Sequence, residues 1–243
     1  MKPFLIIENG ATFPELEAAR GGFARWLAQG LGLGDEEVRI CRPYRGEALP
    51  DPALVRALVL SGSHAMVSHR EPWSEALAAW LREAVASGVT ALGVCYGHQL
   101  LAHALGGEVA SNPKGPEFGC VPLAVKPDAA QDELLSGLPG AFPVLVCHSE
   151  SVLRLPEGAL SLAASELEPN QAVRFAPGVW GVQFHPEFDG EVTAGYVRAM
   201  SEKLKRAGRD PQELEKSCAD TPLSASILPR FAAWVRARQE QAA

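Results

Sequence analysis

A cysteine with a glycine two residues away on either side, Gly93-Val94-Cys95-Tyr96-Gly97, sits where the apolar run Thr90 to Val94 gives way to Leu100, Leu101, Ala104 and Leu105 at helical spacing. This is the pattern of a nucleophile elbow with a thiol in place of the hydroxyl. Such a turn is tight and its backbone strained, so only small residues fit beside the nucleophile. A helix start also favours thiolate over thiol, through unpaired N–H groups and the helix dipole. The N–H of Tyr96 is then placed to stabilise a developing oxyanion. Cysteines in general are more often buried and inert; the two glycines and the strand-to-helix junction set Cys95 apart.

A thiolate nucleophile needs a group that takes its proton and returns it to the leaving amine, work that suits histidine. Among 6 histidines, His185 is distinguished by Gly181-Val182-Gln183-Phe184-His185-Pro186-Glu187, which ends an apolar strand. Pro186 keeps His185 extended, and residues i and i+2 of an extended chain point the same way. The Glu187 carboxylate can therefore reach the imidazole edge turned away from the nucleophile, fixing the tautomer and stabilising the imidazolium. Taken alone, the pair equally describes a histidine satisfied at a strand end beside a solvated glutamate. His64, His69, His98 and His103 have no Cys or carboxylate at metal-ligand spacing, so they are assigned to packing or surface, and no metal site is expected. Cys41, Cys120 and Cys147 lie in apolar strands and are expected in the core; Cys218 is expected as an exposed thiol.

The elements that must position these groups follow an α/β rhythm, a mostly parallel central sheet flanked by helices. Phe4 to Ile7, Val38 to Cys41, Ala57 to Leu60 and Thr90 to Val94 predict buried strands. Asn9 or Thr12 caps a helix that begins near Pro14 and carries Leu16, Ala19, Phe23, Leu27 and Leu31 on one face. Ser74 to Ser87 predicts a second helix. From Phe118 to Phe184 the pattern changes to strands broken by Pro and Gly, at Val121 to Val125, Val144 to Cys147, Leu160 to Ala164, Ala172 to Phe175 and Val179 to Phe184, a smaller antiparallel portion. Helices follow at Val192 to Ala207, Pro211 to Cys218 and Ile227 to Gln239.

The 243 residues suffice for one domain with an appendage. The 5 cysteines are too few and scattered for a disulfide framework, which fits a reducing compartment. The first apolar run meets Glu8 and Asn9 too soon for a secretory signal peptide, and no run approaches a membrane span. A cytoplasmic location is expected. A net charge of −7, from 22 basic and 29 acidic residues, argues against nucleic acid or an anionic membrane as the main partner.

Leu92-Gly93-Val94-Cys95-Tyr96-Gly97-His98-Gln99-Leu100-Leu101, paired with Gly181 to Glu187, resembles the two signature motifs of class I glutamine amidotransferases, the glutaminase half of GMP synthetases being especially similar. The resemblance covers residues 4 to 188. It implies a flavodoxin-like class I glutaminase fold, with nucleophile, base and orienting acid at Cys95, His185 and Glu187. Val59-Leu60-Ser61-Gly62-Ser63 is similar to the family's Ser-Gly-Gly-Pro oxyanion loop, with Ser63 and His64 in place of Gly and Pro. Gly62, Ser63 and Tyr96 are thus the implied oxyanion donors. Gln99 matches a glutamine that helps hold the substrate's amino-acid end. Glu117-Phe118-Gly119 and Cys147-His148-Ser149-Glu150 also resemble family segments, the second one whose backbone lines the glutamine pocket, which adds His148 and Ser149.

The division expected is an amidotransferase domain at 1–188 and a C-terminal helical extension at 189–243 packed on it. The implied reaction is attack of Cys95 on a γ-carbonyl, release of ammonia or an amine protonated by His185, and hydrolysis of the thioester, with no cofactor. No phosphate-loop motif is present, so any ammonia acceptor would be a separate synthase subunit. Two enzyme readings stay open, a glutaminase and a γ-glutamyl peptidase. An inactive binding or regulatory module is the third.

Overall fold

The computed structural model describes residues 2–242, with side chains as far as residue 238. Strand β1 (Phe4–Ile7) is followed by helices α1 (Pro14–Arg20) and α2 (Phe23–Leu31), β2 (Val38–Cys41), β3 (Ala57–Leu60), α3 (Pro72–Ala86), β4 (Ala91–Val94) and α4 (Tyr96–Ala104). Seven strands come next: β5 (Glu108–Ser111), β6 (Glu117–Val125), β7 (Ala141–His148), β8 (Glu150–Arg154), β9 (Leu160–Ala164), β10 (Ala172–Ala176) and β11 (Val179–Val182). Helices α5 (Gly190–Ala199), α6 (Ser201–Arg206), α7 (Pro211–Ser217), α8 (Pro222–Ala225) and α9 (Ile227–Ala242) complete the chain.

Nine strands form one sheet in the order β2-β1-β3-β4-β11-β10-β9-β6-β7. The first five run parallel and the remainder pair antiparallel. β1, β3, β4 and β11 are buried along their whole length. That is why they read as unbroken apolar tetrads and not as alternating ones. Phe4 and Ile6 meet Leu27 and Leu31 of α2 and Leu228 and Phe231 of α9 on one face. Leu5 and Ile7 meet Leu77, Leu81, Leu100 and Leu101 of α3 and α4 on the other, as the period of two requires.

Several expectations need correction. The single helix over Leu16 to Leu31 is two, because Gly21 turns the chain at φ 82°, a conformation that side chains disfavour. Neither Asn9 nor Thr12 caps it: the N-cap is Phe13, without a side-chain bond. The helix over Val192 to Ala207 likewise breaks at Met200. β5 and β8 escaped the sequence reading and pair as a separate two-stranded sheet; Glu108, Ser111 and Glu150 at their ends obscure any apolar alternation. Cys120 and Cys147 are only partly buried. Cys218 is partly buried too, donating to the Leu214 carbonyl at 3.2 Å, and burial pushes its thiol up to about 11. Within the segment expected as a C-terminal extension packed on the domain, Ile227, Leu228 and Phe231 lie fully buried in the same core as β1 and β4. Among the described residues no helix is long and apolar enough to cross a membrane.

Candidate functional site

Cys95 leaves the end of β4 with φ 51° and ψ −103° and caps α4, the strained turn foreseen from its flanking glycines. Its own N–H is held by the Val182 carbonyl at 2.8 Å. A Cβ on Gly97 would stand 2.5 Å from the Leu60 Cβ and 2.6 Å from its carbonyl oxygen; one on Gly93 would stand 2.5 Å from the Gly97 carbonyl. No side chain fits at either position, so the elbow is possible only with this spacing of glycines. Tyr96 is the first helical residue, where an N–H has no carbonyl one turn back to meet. Its phenol is directed elsewhere, bonded to Ser74 Oγ at 2.6 Å and stacked on Trp73.

β11 runs beside β4, with Val182 in register with Val94, and so delivers the next turn of chain to Cys95. His185 Nδ1 bonds Glu187 Oε1 at 2.8 Å, while the Cys95 thiol, directed at the Cys147 carbonyl 3.9 Å away, lies close enough to the ring to influence its charge. With Nδ1 engaged by Glu187, Nε2 is the nitrogen left for the thiol. Phe188 stacks on the imidazole with centroids 4.0 Å apart, and a Cβ on Gly62 would come within 3.0 Å of its Cε1. The ring is therefore wedged between an aromatic face and the loop after β3. Burial alone would keep this imidazole neutral, but the Glu187 carboxylate and the nearby Cys95 outweigh it and raise its affinity for a proton. The arrangement favours an imidazolium facing a sulfur.

The loop Ser61-Gly62-Ser63 is fixed from behind by Asn9, whose N–H donates to Ser61 Oγ at 2.9 Å and whose side-chain amide donates to the Ser61 carbonyl at 2.7 Å. Sequence reasoning missed this role for Asn9; the polar pair Glu8-Asn9 directly after a buried strand was the available signal. Ser63 Oγ accepts from Ala65 N at 3.1 Å, which tightens the turn. Thr12, also read as a cap, instead bonds Tyr196 at 2.8 Å.

A cavity of about 120 Å³ opens beside Cys95, below the roughly 300–1,000 Å³ of drug-sized clefts and on the scale of one amino-acid side chain. Ser63, Cys95, Tyr96, Gln99, His148 and Ser149 all line it, whereas Gly62, His185 and Glu187 stand outside its wall. Gln99 Nε2 donates to the Glu150 carbonyl at 3.0 Å and to Gln183 Oε1 at 2.9 Å, which leaves its own Oε1 for a ligand. His148 offers the cavity only its backbone, since Nδ1 meets the Glu150 carbonyl at 3.0 Å and Nε2 meets Glu117 Oε2 at 3.1 Å. Ser149 sits where β7 passes from the large sheet to β8 of the small one, and its carbonyl accepts from Asn112 at 2.9 Å. Phe13, His64, Phe118, Met200 and Lys203, which sequence reasoning did not assign to the site, complete much of the wall. His98 is fully buried against Phe175 and takes no part, burial keeping it neutral.

The chain spans about a third of the length of the first curated relatives it matches. One, a GMP synthase [glutamine-hydrolyzing] of Thermosipho africanus, is 41% identical over 214 residues, 84% of this chain and 37% of that protein. γ-Glutamyl peptidase 4 of Arabidopsis thaliana is 29% identical over 219 residues, 84% of this chain and 87% of the peptidase. The crystal structure of a glutamine amidotransferase from Thermotoga maritima superposes with a TM-score of 0.77 at 19% identity, covering 97% of this chain and 98% of that one, a likeness of fold. The family model for class I glutamine amidotransferases matches residues 23–199, and the chain belongs to that family.

Proposed function

We propose that the protein hydrolyses the γ-amide of glutamine through a thioester on Cys95, giving glutamate and ammonia. The observation that carries this reading is the elbow at Cys95 with a His185–Glu187 pair bonded at 2.8 Å beside it. The thiolate attacks the γ-carbonyl, and the oxyanion meets the N–H groups of Tyr96 and the Gly62-Ser63 loop. One such donor is worth about 10²–10³ in rate. His185 gives its proton to the departing nitrogen, then activates water to cleave the thioester, while Glu187 holds the imidazole in place. Gln99 Oε1 and the backbone at His148 and Ser149 receive the amino-acid end.

The names of the GMP synthase relatives support an ammonia acceptor in the form of a synthase subunit. A cytoplasmic setting suits the chemistry, since all five cysteines are free and thiols stay reduced there. A second reading, γ-glutamyl peptidase, is favoured by two observations: the peptidase relative matched over 87% of its length, and Ser63-His64 at the loop beside the cavity mouth, where a bulkier amine would leave. The ratio of kcat/KM for glutamine to that for γ-glutamyl dipeptides and glutathione decides between them. A tenfold preference for the peptides, about 1.4 kcal/mol of transition-state binding, would replace the first reading with the second.

A further inference from the structure

One flank of the cavity lies beyond residue 199, where the family match ends. Met200 and Lys203 form that flank, supplied by the break between α5 and α6. The cavity wall includes Cys95 but neither His185 nor Glu187, so it extends to the side of the sulfur away from the base. The leaving nitrogen must face His185 to receive its proton. The glutamyl portion of a substrate therefore occupies the cavity, bringing an α-ammonium and an α-carboxylate with it.

The α-carboxylate of such a zwitterion calls for a cation in the wall. The Glu150 carboxylate is taken up by the Val67 N–H at 2.8 Å and the Ser68 N–H, and Lys203 is the one lysine or arginine among the described lining residues. The His148 ring is engaged by Glu117 and the Glu150 carbonyl. His64 packs on Phe13 and Tyr196, and this desolvation, with His185 and Lys203 nearby, disfavours its charged form. Lys203 makes no ion pair with a described carboxylate, although Lys205 of the same helix bonds Glu202 at 2.8 Å. Its Nζ stands 6.0 Å from the centre of the Phe118 ring, an aromatic of the cavity wall that favours a cation above its face. Leu204, 1% exposed and packed with Phe118 and Val197, fixes the rotation of α6. We propose that Lys203 is a specificity residue that binds the α-carboxylate of the γ-glutamyl substrate, so that the chain beyond the family segment completes the binding pocket.

The inference rests on the γ-glutamyl reading of the site and applies to glutamine and γ-glutamyl peptides alike. It is tested by kcat/KM for glutamine and γ-glutamylglycine, each against its counterpart with the glutamyl α-carboxylate converted to an amide, in wild type, Lys203→Met and Lys203→Arg. Lys203→Met should lower kcat/KM for the free acids roughly two- to fivefold, through KM, the scale of an exposed ion pair. It should leave the α-amides unchanged, and Lys203→Arg should restore most of the loss. Equal losses for acids and α-amides would make Lys203 a packing residue and overturn the proposal. So would a loss that follows the glycine carboxylate of γ-glutamylglycine and not the glutamyl one. Calorimetric Kd values for glutamine and its α-amide in a Cys95→Ala background read the same contact without turnover. If wild type hydrolyses neither substrate, the γ-glutamyl reading falls, and the Lys203 proposal falls with it unless glutamine binds Cys95→Ala and Lys203→Met weakens that binding selectively.

Discussion

The parallel and antiparallel halves of the sheet contribute different things to the cavity. From the parallel half come Cys95 at the end of β4 and the Ser61-Gly62-Ser63 loop after β3, both set by main-chain geometry and close backbone approaches. From the antiparallel half and the helices after it come the side chains of Phe118, Met200 and Lys203 and the backbone at His148, with Glu150 added from β8 of the small sheet. His185 joins the two, following β11 of the parallel part while its N–H bonds the Leu145 carbonyl of β7 at 2.8 Å. On the proposed mechanism the reacting groups stand on a rigid backbone feature, and recognition rests on surfaces that can vary without disturbing it.

The most severe break on the parallel side is Cys95→Ala. Turnover should vanish, while the melting temperature shifts by only a few degrees, since a single sulfur is lost from a 6% exposed position. Cooperative melting by calorimetry checks the second half; a collapse of the fold would mean that Cys95 holds the core and the elbow reading is wrong. His185→Asn should slow acylation by about 10²–10⁴, measured as single-turnover release of ammonia. A near-normal rate would remove His185 from the mechanism.

On the antiparallel side the balance between activity and stability reverses. Glu117 and His148 are buried together, and Glu117 also accepts from Ser165 and Gln171. Burial favours its protonated form, but these bonds and His148 outweigh burial and hold the carboxyl below its usual value. The stability it contributes is present above the ordinary carboxylate range and is lost as pH falls through the lowered value. His148→Ala should cost about 3–5 kcal/mol, the usual penalty for stripping a buried charge of its partner, with the loss diminishing in acid. Denaturant titrations at pH 7 and pH 4 provide the comparison, and an equal, small loss at both would show that the pair is not ionised.

Glu187→Gln sharpens the contrast at the junction. An acceptor for His185 Nδ1 remains but the charge does not, so the rate should fall less than in His185→Asn. Because Glu187 raises the imidazole's affinity for protons, its loss should move the alkaline limb of the kcat/KM profile to lower pH. An unmoved limb would mean that the 2.8 Å contact does not govern the proton. Smallest of all should be Asn9→Ala, which frees the loop after β3 and should cost about 1–2 kcal/mol of stability with a modest fall in kcat. If KM changes and kcat does not, the loop belongs to binding and not to the oxyanion.

Local chemistry in the sequence determined the elbow and the His185–Glu187 pairing. Both are short-range: glycines at ±2 where a strand turns into a helix, and an i, i+2 spacing across a proline that keeps the chain extended. Apolar tetrads likewise determined the central strands, because burial on both faces leaves no polar position. Tertiary structure alone decided what crosses long stretches of chain. Asn9 bonds Ser61 across 52 residues, Glu117 meets His148 across 31, Gln99 meets Gln183 across 84, and Thr12 meets Tyr196 across 184. No local pattern encodes such pairs, since each polar residue would be equally content in water until packing removes that option. The same holds for Lys203, which on its helix is an ordinary exposed lysine. Only the packing of Leu204 against Phe118 brings it to the rim of the cavity.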